Sequence, residues 1–127
     1  MKTLYVTDLD GTLLRTDDTV SPFTINTVNG LVDKGMLFTY ATARSLVSAS
    51  VVTRGLSARI PVIAYNGAFI YNAETGIPLY SLFFTPEESA FIISLLQSFR
   101  LYPFVYSFQE GIERLSWMSG TENEGCF

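Results

Sequence analysis

The chain has 127 residues, a formal net charge of −4 and a hydrophobic content of 48%, which is enough for one domain with a buried core. Its basic residues are scattered singly, so a surface that binds nucleic acid is not expected. No apolar run approaches the roughly 18 residues that a membrane span requires. The sequence also contains no histidine, and any acid–base or metal chemistry is therefore expected from carboxylates.

The cysteine content and the N-terminus indicate the compartment. Cys126 is the single cysteine, so an internal disulfide is excluded and a reducing environment is favoured. The first residues lead directly into a short apolar stretch that ends in two acids, unlike a secretory signal peptide. We therefore expect a cytoplasmic protein.

The first part of the chain alternates strand and helix patterns. Leu4–Thr7 is a short β-prone run. Ser21 followed by Pro22 predicts the start of an amphipathic helix that ends at Gly35. Met36–Ala41 predicts a second buried strand. The order strand, helix, strand favours parallel pairing with a right-handed crossover.

The pattern then changes from strand–helix to strand–strand. Ser45 is a candidate cap for a second helix that runs to about Gly55. Pro61–Tyr65 predicts a third strand, and Asn66–Gly67 before the apolar Ala68–Tyr71 is typical of a hairpin turn. An antiparallel pair is therefore expected after the parallel one.

A further strand–helix–strand unit is predicted at the end of the chain. Pro78–Phe84 reads as a strand, and Thr85 begins a helix that runs to about Phe99, with a capping-box glutamate three residues after Thr85. Tyr102–Phe108 predicts another strand. From Glu110 onward the periodicity fades, and residues 119–125 are interpreted as loop. We place a domain boundary near residues 83–84, where the new unit begins.

Two carboxylates at the end of the first strand are the main candidates for chemistry. Asp8 and Asp10 stand two residues apart, and alternation along an extended segment would point both the same way. Paired carboxylates suit Mg²⁺, and a carboxylate can attack phosphorus while a second acid transfers the proton. Gly11 allows a tight turn, and the amides and hydroxyl at Gly11 and Thr12 are candidate phosphate donors.

Residues after the next two strands are expected near the same edge of the sheet. Thr42 follows the second strand and is a candidate donor to a phosphate, because the carboxyl ends of parallel strands converge. Arg44 is a candidate contact for a phosphate or a substrate carboxylate. Asn66 and Gly67 are first a turn and only second a substrate contact.

Each of these residues also has an ordinary structural interpretation. Asp8 alone is typical of a strand-end residue that accepts backbone hydrogen bonds, and Thr12 of a simple cap. Arg44 alone is typical of an exposed arginine at a helix start. Asp17 and Asp18 are interpreted as solvated loop acids. The combination after Leu4–Thr7 favours the catalytic interpretation.

The motifs resemble a known enzyme superfamily. VTDLDGTLL at residues 6–14 resembles the first motif of the haloacid dehalogenase (HAD) superfamily. ATAR at 41–44 resembles the second motif of its Cof-type phosphatase branch, and AYNGA at 64–68 is similar to that branch as well. The resemblance implies an α/β fold with a Rossmann-like parallel sheet core over residues 1–84. Residues 85–127 would then be the start of an inserted α+β cap domain.

The resemblance also implies roles for single residues. Asp8 is the implied nucleophile and Mg²⁺ ligand, and Asp10 the acid/base whose carbonyl also binds the metal. Thr42 is the implied phosphate donor, with Ala43 beside it in the phosphate-binding loop. Ala43 stands where this branch usually has glycine, so strain is expected if the position needs a positive φ.

Charged residues that such a site needs further along the chain are absent from the sequence. Asp33 is the last aspartate and Lys34 the last lysine, while the superfamily needs a downstream Lys or Arg and further Asp residues. Arg100 and Arg114 fall in the expected cap. We therefore expect the N-terminal fragment of a longer protein, cut inside its cap and inactive alone.

The expected activity of the complete protein follows from this resemblance. We expect a Mg²⁺-dependent phosphohydrolase that acts on small phosphorylated metabolites, with sugar phosphates as one candidate class, through an aspartyl-phosphate intermediate. The alternatives are a non-catalytic module that binds phosphate and Mg²⁺, or one chain of a two-chain enzyme. Neither nucleic acid nor membrane is an expected partner. A sheet edge left open in a fragment predicts self-association.

Overall fold

The computed structural model describes residues 2–118. Cα packing divides the chain into two compact units, Met1–Phe83 and Phe84–Phe127. The described residues form seven strands and three α-helices in the order β1 (Leu4–Thr7), α1 (Pro22–Asp33), β2 (Leu37–Tyr40), α2 (Leu46–Val52), β3 (Val62–Ala64), β4 (Phe69–Tyr71), β5 (Pro78–Ser81), α3 (Pro86–Ser98), β6 (Val105–Gln109) and β7 (Ile112–Ser116).

The first unit is built on a mixed sheet. β1 pairs with β2 in parallel, with Leu4 opposite Leu37. A parallel bridge between Ala41 and Ile63 continues the pairing from the end of β2 to β3. β3, β4 and β5 then pair antiparallel in chain order. The carboxyl ends of β1, β2 and β3 are therefore brought to one edge, as the order of sequence patterns predicts.

Local hydrogen bonds explain where the helices of this unit begin. The Ser21 hydroxyl accepts from the Thr24 N–H at 3.0 Å, and a proline occupies the first turn of α1. The Ser45 hydroxyl accepts from the Ser48 N–H at 3.2 Å at the start of α2. Each hydroxyl pairs a backbone N–H that has no partner inside the helix. The predicted starts of both helices are confirmed.

The core of the first unit lies between the sheet and its helices. Leu9 and Val62 are the largest side chains in it that are fully buried. The buried Thr39 hydroxyl donates to the carbonyl of Pro61 at 2.7 Å, so this polar group is paired inside the core. The other buried apolar side chains are Leu14, Val20, Val32, Phe38, Tyr40, Ala49, Ala64, Phe69 and Tyr71.

The second unit contains α3 and a β6–β7 hairpin. The Thr85 hydroxyl accepts from the Glu88 N–H at 3.2 Å, and the Glu88 carboxylate accepts from the Thr85 N–H at 2.8 Å. This reciprocal capping box confirms the predicted helix start. β6 and β7 pair antiparallel, with Gln109 opposite Ile112.

The weak periodicity after Glu110 gave no prediction of β7, which the structure places at Ile112–Ser116. Glu110 and Gly111 both have a positive φ, 53° and 78°, which is the conformation of a two-residue hairpin turn. The single Gly111 after Glu110, between two β-prone runs, was the available signal. The residues from Ser119 onward, including Cys126, lie outside the described part.

Several strands and helices begin or end a few residues away from their predicted bounds. β5 ends at Ser81 and not at 84. β6 begins at Val105 and not at 102, because Pro103 has no N–H to donate to a neighbouring strand. α2 ends at Val52, before the predicted end near 55. In residues 2–118 none of the helices has the length and apolarity that would let it cross a membrane.

Candidate active site

Asp8 is held at the end of β1 by the residue that follows it. Its Oδ1 accepts from the Leu9 N–H at 2.8 Å, and the Leu9 side chain is fully buried. The other carboxylate oxygen has no hydrogen-bond partner among the described residues, and Asp8 is exposed. Leu9 therefore anchors the chain while Asp8 keeps one oxygen available to a ligand.

The turn after Asp8 requires a glycine. The Leu14 N–H donates to the Leu9 carbonyl at 2.9 Å and closes the turn. Gly11 has a φ of 73°, and no heavy atom lies within 4 Å of a Cβ built on it. The space is open, so the backbone conformation and not a close contact explains the glycine.

Thr42 lies at the end of β2 with its hydroxyl in a fixed place. Its side chain is buried, and its N–H donates to the Ile63 carbonyl at 3.0 Å. The hydroxyl oxygen accepts from the Arg44 N–H at 3.1 Å. The hydroxyl proton remains available for donation, which is what a phosphate-binding threonine requires.

Ala43, next to Thr42, is not strained. The residues other than glycine with a positive φ in the described part are Asp18, Tyr65, Asn66, Arg100 and Glu110. Ala43 is absent from this set, so the strain expected from replacing glycine does not arise. Ala43 is exposed beside Thr42.

The turn between β3 and β4 packs its backbone against the loop after β2. Tyr65, Asn66 and Gly67 are all left-handed, with φ of 51°, 55° and 94°. The Tyr65 N–H donates to the Arg44 carbonyl, and the Asn66 N–H to the Thr42 carbonyl, both at 3.0 Å. The predicted turn is present, but it begins one residue earlier than expected, at Tyr65, which no local pattern indicated.

A cleft opens where these three loops meet. Its volume is about 400 Å³. It brings together five of the residues that the sequence selects, and the full lining is Asp8, Ala41, Thr42, Ala43, Ile63, Asn66 and Gly67. Gly11 and Thr12 lie in the turn after β1 and are outside this lining. Their phosphate-binding role stays a prediction.

Asp10 does not join Asp8 in the cleft lining. Arg44 donates from Nε to Asp10 Oδ2 at 2.9 Å and from a terminal nitrogen to Oδ1 at 2.6 Å. The same terminal nitrogen lies 3.4 Å from a carboxylate oxygen of Asp18. Asp18, interpreted from sequence as a solvated acid, is thus a second anion beside Arg44.

This ion pair changes the acidity of both partners. The hydrogen bond from Arg44 lowers the pKa of Asp10, and desolvation opposes it only in part. The hydrogen bond to Asp10 in turn raises the pKa of Arg44. Each charge favours the ionised form of the other. Asp10 is therefore a carboxylate at neutral pH in this state of the protein.

The different surroundings of the two acids have a geometric cause. β1 ends at Thr7, and the turn begins at Leu9. Asp8 and Asp10 are therefore not successive residues of one strand face, and the alternation argument does not apply to them. Arg44, which is 34 residues away along the chain, decides where the Asp10 carboxylate lies.

The oxygen donors at this edge suit a magnesium ion in part. The free oxygen of Asp8 and the carbonyl of Asp10 are hard ligands of the kind that Mg²⁺ binds along with waters and phosphate. Within residues 2–118, no group of three or more acidic, His or Cys side chains lies close enough together to hold a metal. The donors fit magnesium in chemistry and supply only a part of its ligands.

The family of the chain follows from comparison with known proteins. A family model described as haloacid dehalogenase-like hydrolase matches residues 5–116. The chain belongs to this family. The predicted membership in the HAD superfamily and its Cof-type branch is confirmed.

Two curated relatives in the family are phosphatases by name. The 5-amino-6-(5-phospho-D-ribitylamino)uracil phosphatase of Bacillus subtilis is 35% identical over 71 residues, which are 56% of this chain and 26% of that protein. The HMP-PP phosphatase of Yersinia pestis is 31% identical over 93 residues, 73% of this chain and 34% of that protein. The chain thus spans about a quarter to a third of the length of these relatives.

A solved structure shows the same fold. A HAD superfamily phosphatase from Bacteroides thetaiotaomicron superimposes with a TM-score of 0.73 at 22% identity, and covers 95% of this chain and 44% of its own. The predicted α/β class with a parallel sheet is confirmed.

Proposed function

We propose that the protein to which this chain belongs is a Mg²⁺-dependent phosphohydrolase of small phosphorylated metabolites, with Asp8 as its nucleophile. One observation carries the proposal: Asp8 has a free carboxylate oxygen and lines the same cleft as Thr42, which holds an O–H ready to donate. A phosphoryl group in this cleft would meet a nucleophile and a hydrogen-bond donor together.

The reaction proceeds by two displacements at phosphorus. An oxygen of Asp8 attacks the phosphorus, and the bond from phosphorus to the leaving oxygen breaks while Asp10 gives that oxygen a proton. Water then attacks the phosphorus of the aspartyl-phosphate, the bond to Asp8 breaks, and Asp10 takes a proton from the water. Asp8 and the Asp10 carbonyl would hold Mg²⁺, which would supply positive charge to the phosphoryl oxygens.

The protonation state of Asp10 suits the second displacement. Asp10 is a carboxylate at neutral pH, and Arg44 favours this form further by lowering the pKa of Asp10. The carboxylate is the form that accepts a proton from water. The first displacement needs the protonated form.

The substrate class is proposed from the chemistry of the cleft and the names of the relatives. Thr42 and Asp8 recognise a phosphoryl group and leave the rest of the molecule unspecified. The relatives are named for phosphorylated small molecules, one of which carries a phosphoribityl group. Sugar phosphates and related phosphate esters are therefore the first class to assay.

Residues beyond this chain are proposed to complete the site. No lysine follows Lys34 and no aspartate follows Asp33, so a cation and further Mg²⁺ ligands would come from elsewhere in the whole protein. We propose residues 1–84 as part of the phosphatase core and 85–127 as the start of a cap domain. The 127-residue chain alone is expected to be inactive, and the whole protein to be cytoplasmic.

Phosphate release by the intact protein tests the proposed function. A panel of sugar phosphates and p-nitrophenyl phosphate is assayed with and without Mg²⁺. Asp8→Asn is expected to lower the rate at least 10³-fold, because an amide oxygen is a poor nucleophile. Asp33→Asn removes a matched exposed carboxylate in α1 and should leave the rate unchanged. Full activity of Asp8→Asn contradicts the proposal.

A binding role without catalysis is the second candidate. The observation in its favour is that Asp8, Thr42 and Asn66 already line one cleft within this chain. Calorimetry of the 127-residue chain with Mg²⁺ and a phosphate analogue such as vanadate measures it directly. Binding that Asp8→Asn removes, in an intact protein without phosphatase activity, supports this candidate over the enzyme.

A further inference from the structure

The backbone of Arg44 is fixed on both sides. Its N–H donates to the Thr42 hydroxyl at 3.1 Å, and its carbonyl accepts from the Tyr65 N–H at 3.0 Å. The next residue, Ser45, is buried and caps α2. The guanidinium of Arg44 therefore extends from a rigid base in the middle of the site.

The side chain of Arg44 holds both oxygens of one carboxylate. Nε lies 2.9 Å from Asp10 Oδ2, and a terminal nitrogen lies 2.6 Å from Oδ1. The other terminal nitrogen lies 3.4 Å from the Ser48 hydroxyl, one turn further along α2. Two parallel contacts to a planar carboxylate fix its rotation as well as its position, which a single ammonium group does not do.

The contact differs from an ordinary surface ion pair in the same molecule. The side chain of Arg44 is 22% exposed and that of Asp10 is 48% exposed. The Arg59–Asp33 pair is 60% and 63% exposed and has one contact between a terminal nitrogen and Oδ1. Arg59 is thus a matched control for the loss of an arginine–aspartate pair outside the site.

We propose that Arg44 is a positioning residue, which holds the Asp10 carboxylate through two N–H···O contacts and so sets where the acid/base group stands relative to Asp8. The inference rests on the proposed acid/base role of Asp10. Asp10 lies in a turn that leaves it half-exposed, and without Arg44 its side chain would sample several rotamers. Substrate contact, the role considered from sequence, is a different function for the same residue.

Steady-state kinetics of the intact protein separate the two roles. Arg44→Met is expected to lower kcat about 10²-fold, since a misplaced catalytic group costs that much, with KM changed less than about threefold. Arg44→Lys restores the charge without the two-point contact and should recover less than a tenth of the loss. Arg59→Met should have the same kcat and KM as the unmodified protein. A large rise in KM with kcat retained overturns the proposal in favour of substrate binding.

A double-mutant cycle shows whether Arg44 acts through Asp10. In an Asp10→Asn background, Arg44→Met is expected to cause no further loss, because the group that it positions is already gone. Losses that multiply would mean that Arg44 acts independently, and would overturn the proposal.

The χ1 rotamer of the Asp10 side chain can be measured without an activity assay. Three-bond couplings of the Asp10 β-protons, measured by NMR without substrate, should report one χ1 rotamer in the unmodified protein and an average in Arg44→Met. Averaged couplings in the unmodified protein overturn the positioning role. Failure of the proposed function would appear separately, as phosphate release that Asp8→Asn does not affect.

Discussion

The N–H of Asn66 donates to the carbonyl of Thr42 at 3.0 Å, and this contact connects the turn after β3 to the loop after β2. Asn66 makes the contact with a left-handed backbone, φ 55° and ψ 29°. Because Thr42 and Asn66 also line the cleft beside Asp8, the backbone of one loop sets the shape of the pocket at the other.

The left-handed backbone at position 66 predicts which substitutions of Asn66 preserve the stability of the protein. Asn66→Gly should leave stability nearly unchanged, whereas Asn66→Val should cost about 1–2 kcal/mol, because a β-branched side chain is strained there. Urea unfolding of the purified protein measures both. Asn26→Val, in the exposed middle of α1, is the control. Equal effects of the two valine variants would show that the left-handed backbone is not required.

The burial of Leu9 predicts a large loss of stability. Leu9→Ala should cost about 2–5 kcal/mol, since it removes a fully buried side chain and leaves a cavity. Leu79→Ala alters a leucine that is more than half exposed and should cost much less. Urea midpoints compare the two variants. A small effect of Leu9→Ala would mean that Leu9 does not anchor Asp8.

The Asp10–Arg44 pair predicts an acid dependence of stability. Because the pKa of Asp10 is lowered by Arg44 in the folded state, the pair stabilises the fold above the ordinary aspartate pKa of about 3.9. That contribution is lost as the pH falls through the lower folded pKa. Carbon-detected NMR titration of Asp10 should show its pKa return toward the ordinary value in Arg44→Met. Arg59→Met should leave the Asp10 titration unchanged.

The buried Tyr40 is expected to make the stability of the fold fall in alkali, the opposite direction to Asp10. Burial raises the pKa of Tyr40, with partial opposition from a hydrogen bond with Thr53. Its contribution to stability is therefore complete below the ordinary tyrosine pKa of about 10 and is lost as the pH rises through the folded pKa. The difference between the ultraviolet titrations of the unmodified protein and Tyr40→Phe isolates this phenol. A midpoint at or below 10 would contradict the prediction.

The open side of β1 predicts self-association of the 127-residue chain. β1 pairs with β2 alone among the described strands, and Leu4, Tyr5 and Val6 are each about half exposed. Tyr5→Lys should reduce association, because a charge on an edge strand opposes pairing with another chain. Phe23→Lys adds the same charge in α1, where the Phe23 side chain is 80% exposed. This variant should reduce self-association less than Tyr5→Lys does. Sedimentation velocity over a range of concentrations measures the self-association of the two variants and of the unmodified chain.

Such association stays a prediction, and a concentration-independent monomer would contradict it. The comparison of Tyr5→Lys with Phe23→Lys also separates pairing at the edge of the sheet from a general effect of added charge on solubility.

Much of the site was predictable because its residues follow strand ends. Asp8, Thr42 and Asn66 come after apolar runs, and parallel order alone brings such positions to one edge. β7 was missed because apolar and polar residues alternate only weakly along Ile112–Ser116. The left-handed Tyr65 has no local signal, since tyrosine is not typical of that conformation.

The sequence by itself determined the helix starts, the strand order and the family motifs. Caps such as Ser21 and Thr85 pair with an N–H three residues later, so both partners are visible in one short stretch. Only the tertiary structure decided that Arg44 binds Asp10, and that Asp8 but not Asp10 lines the cleft. Residues 34 apart meet only after the sheet register and the crossover helix are in place, and no local pattern encodes that distance.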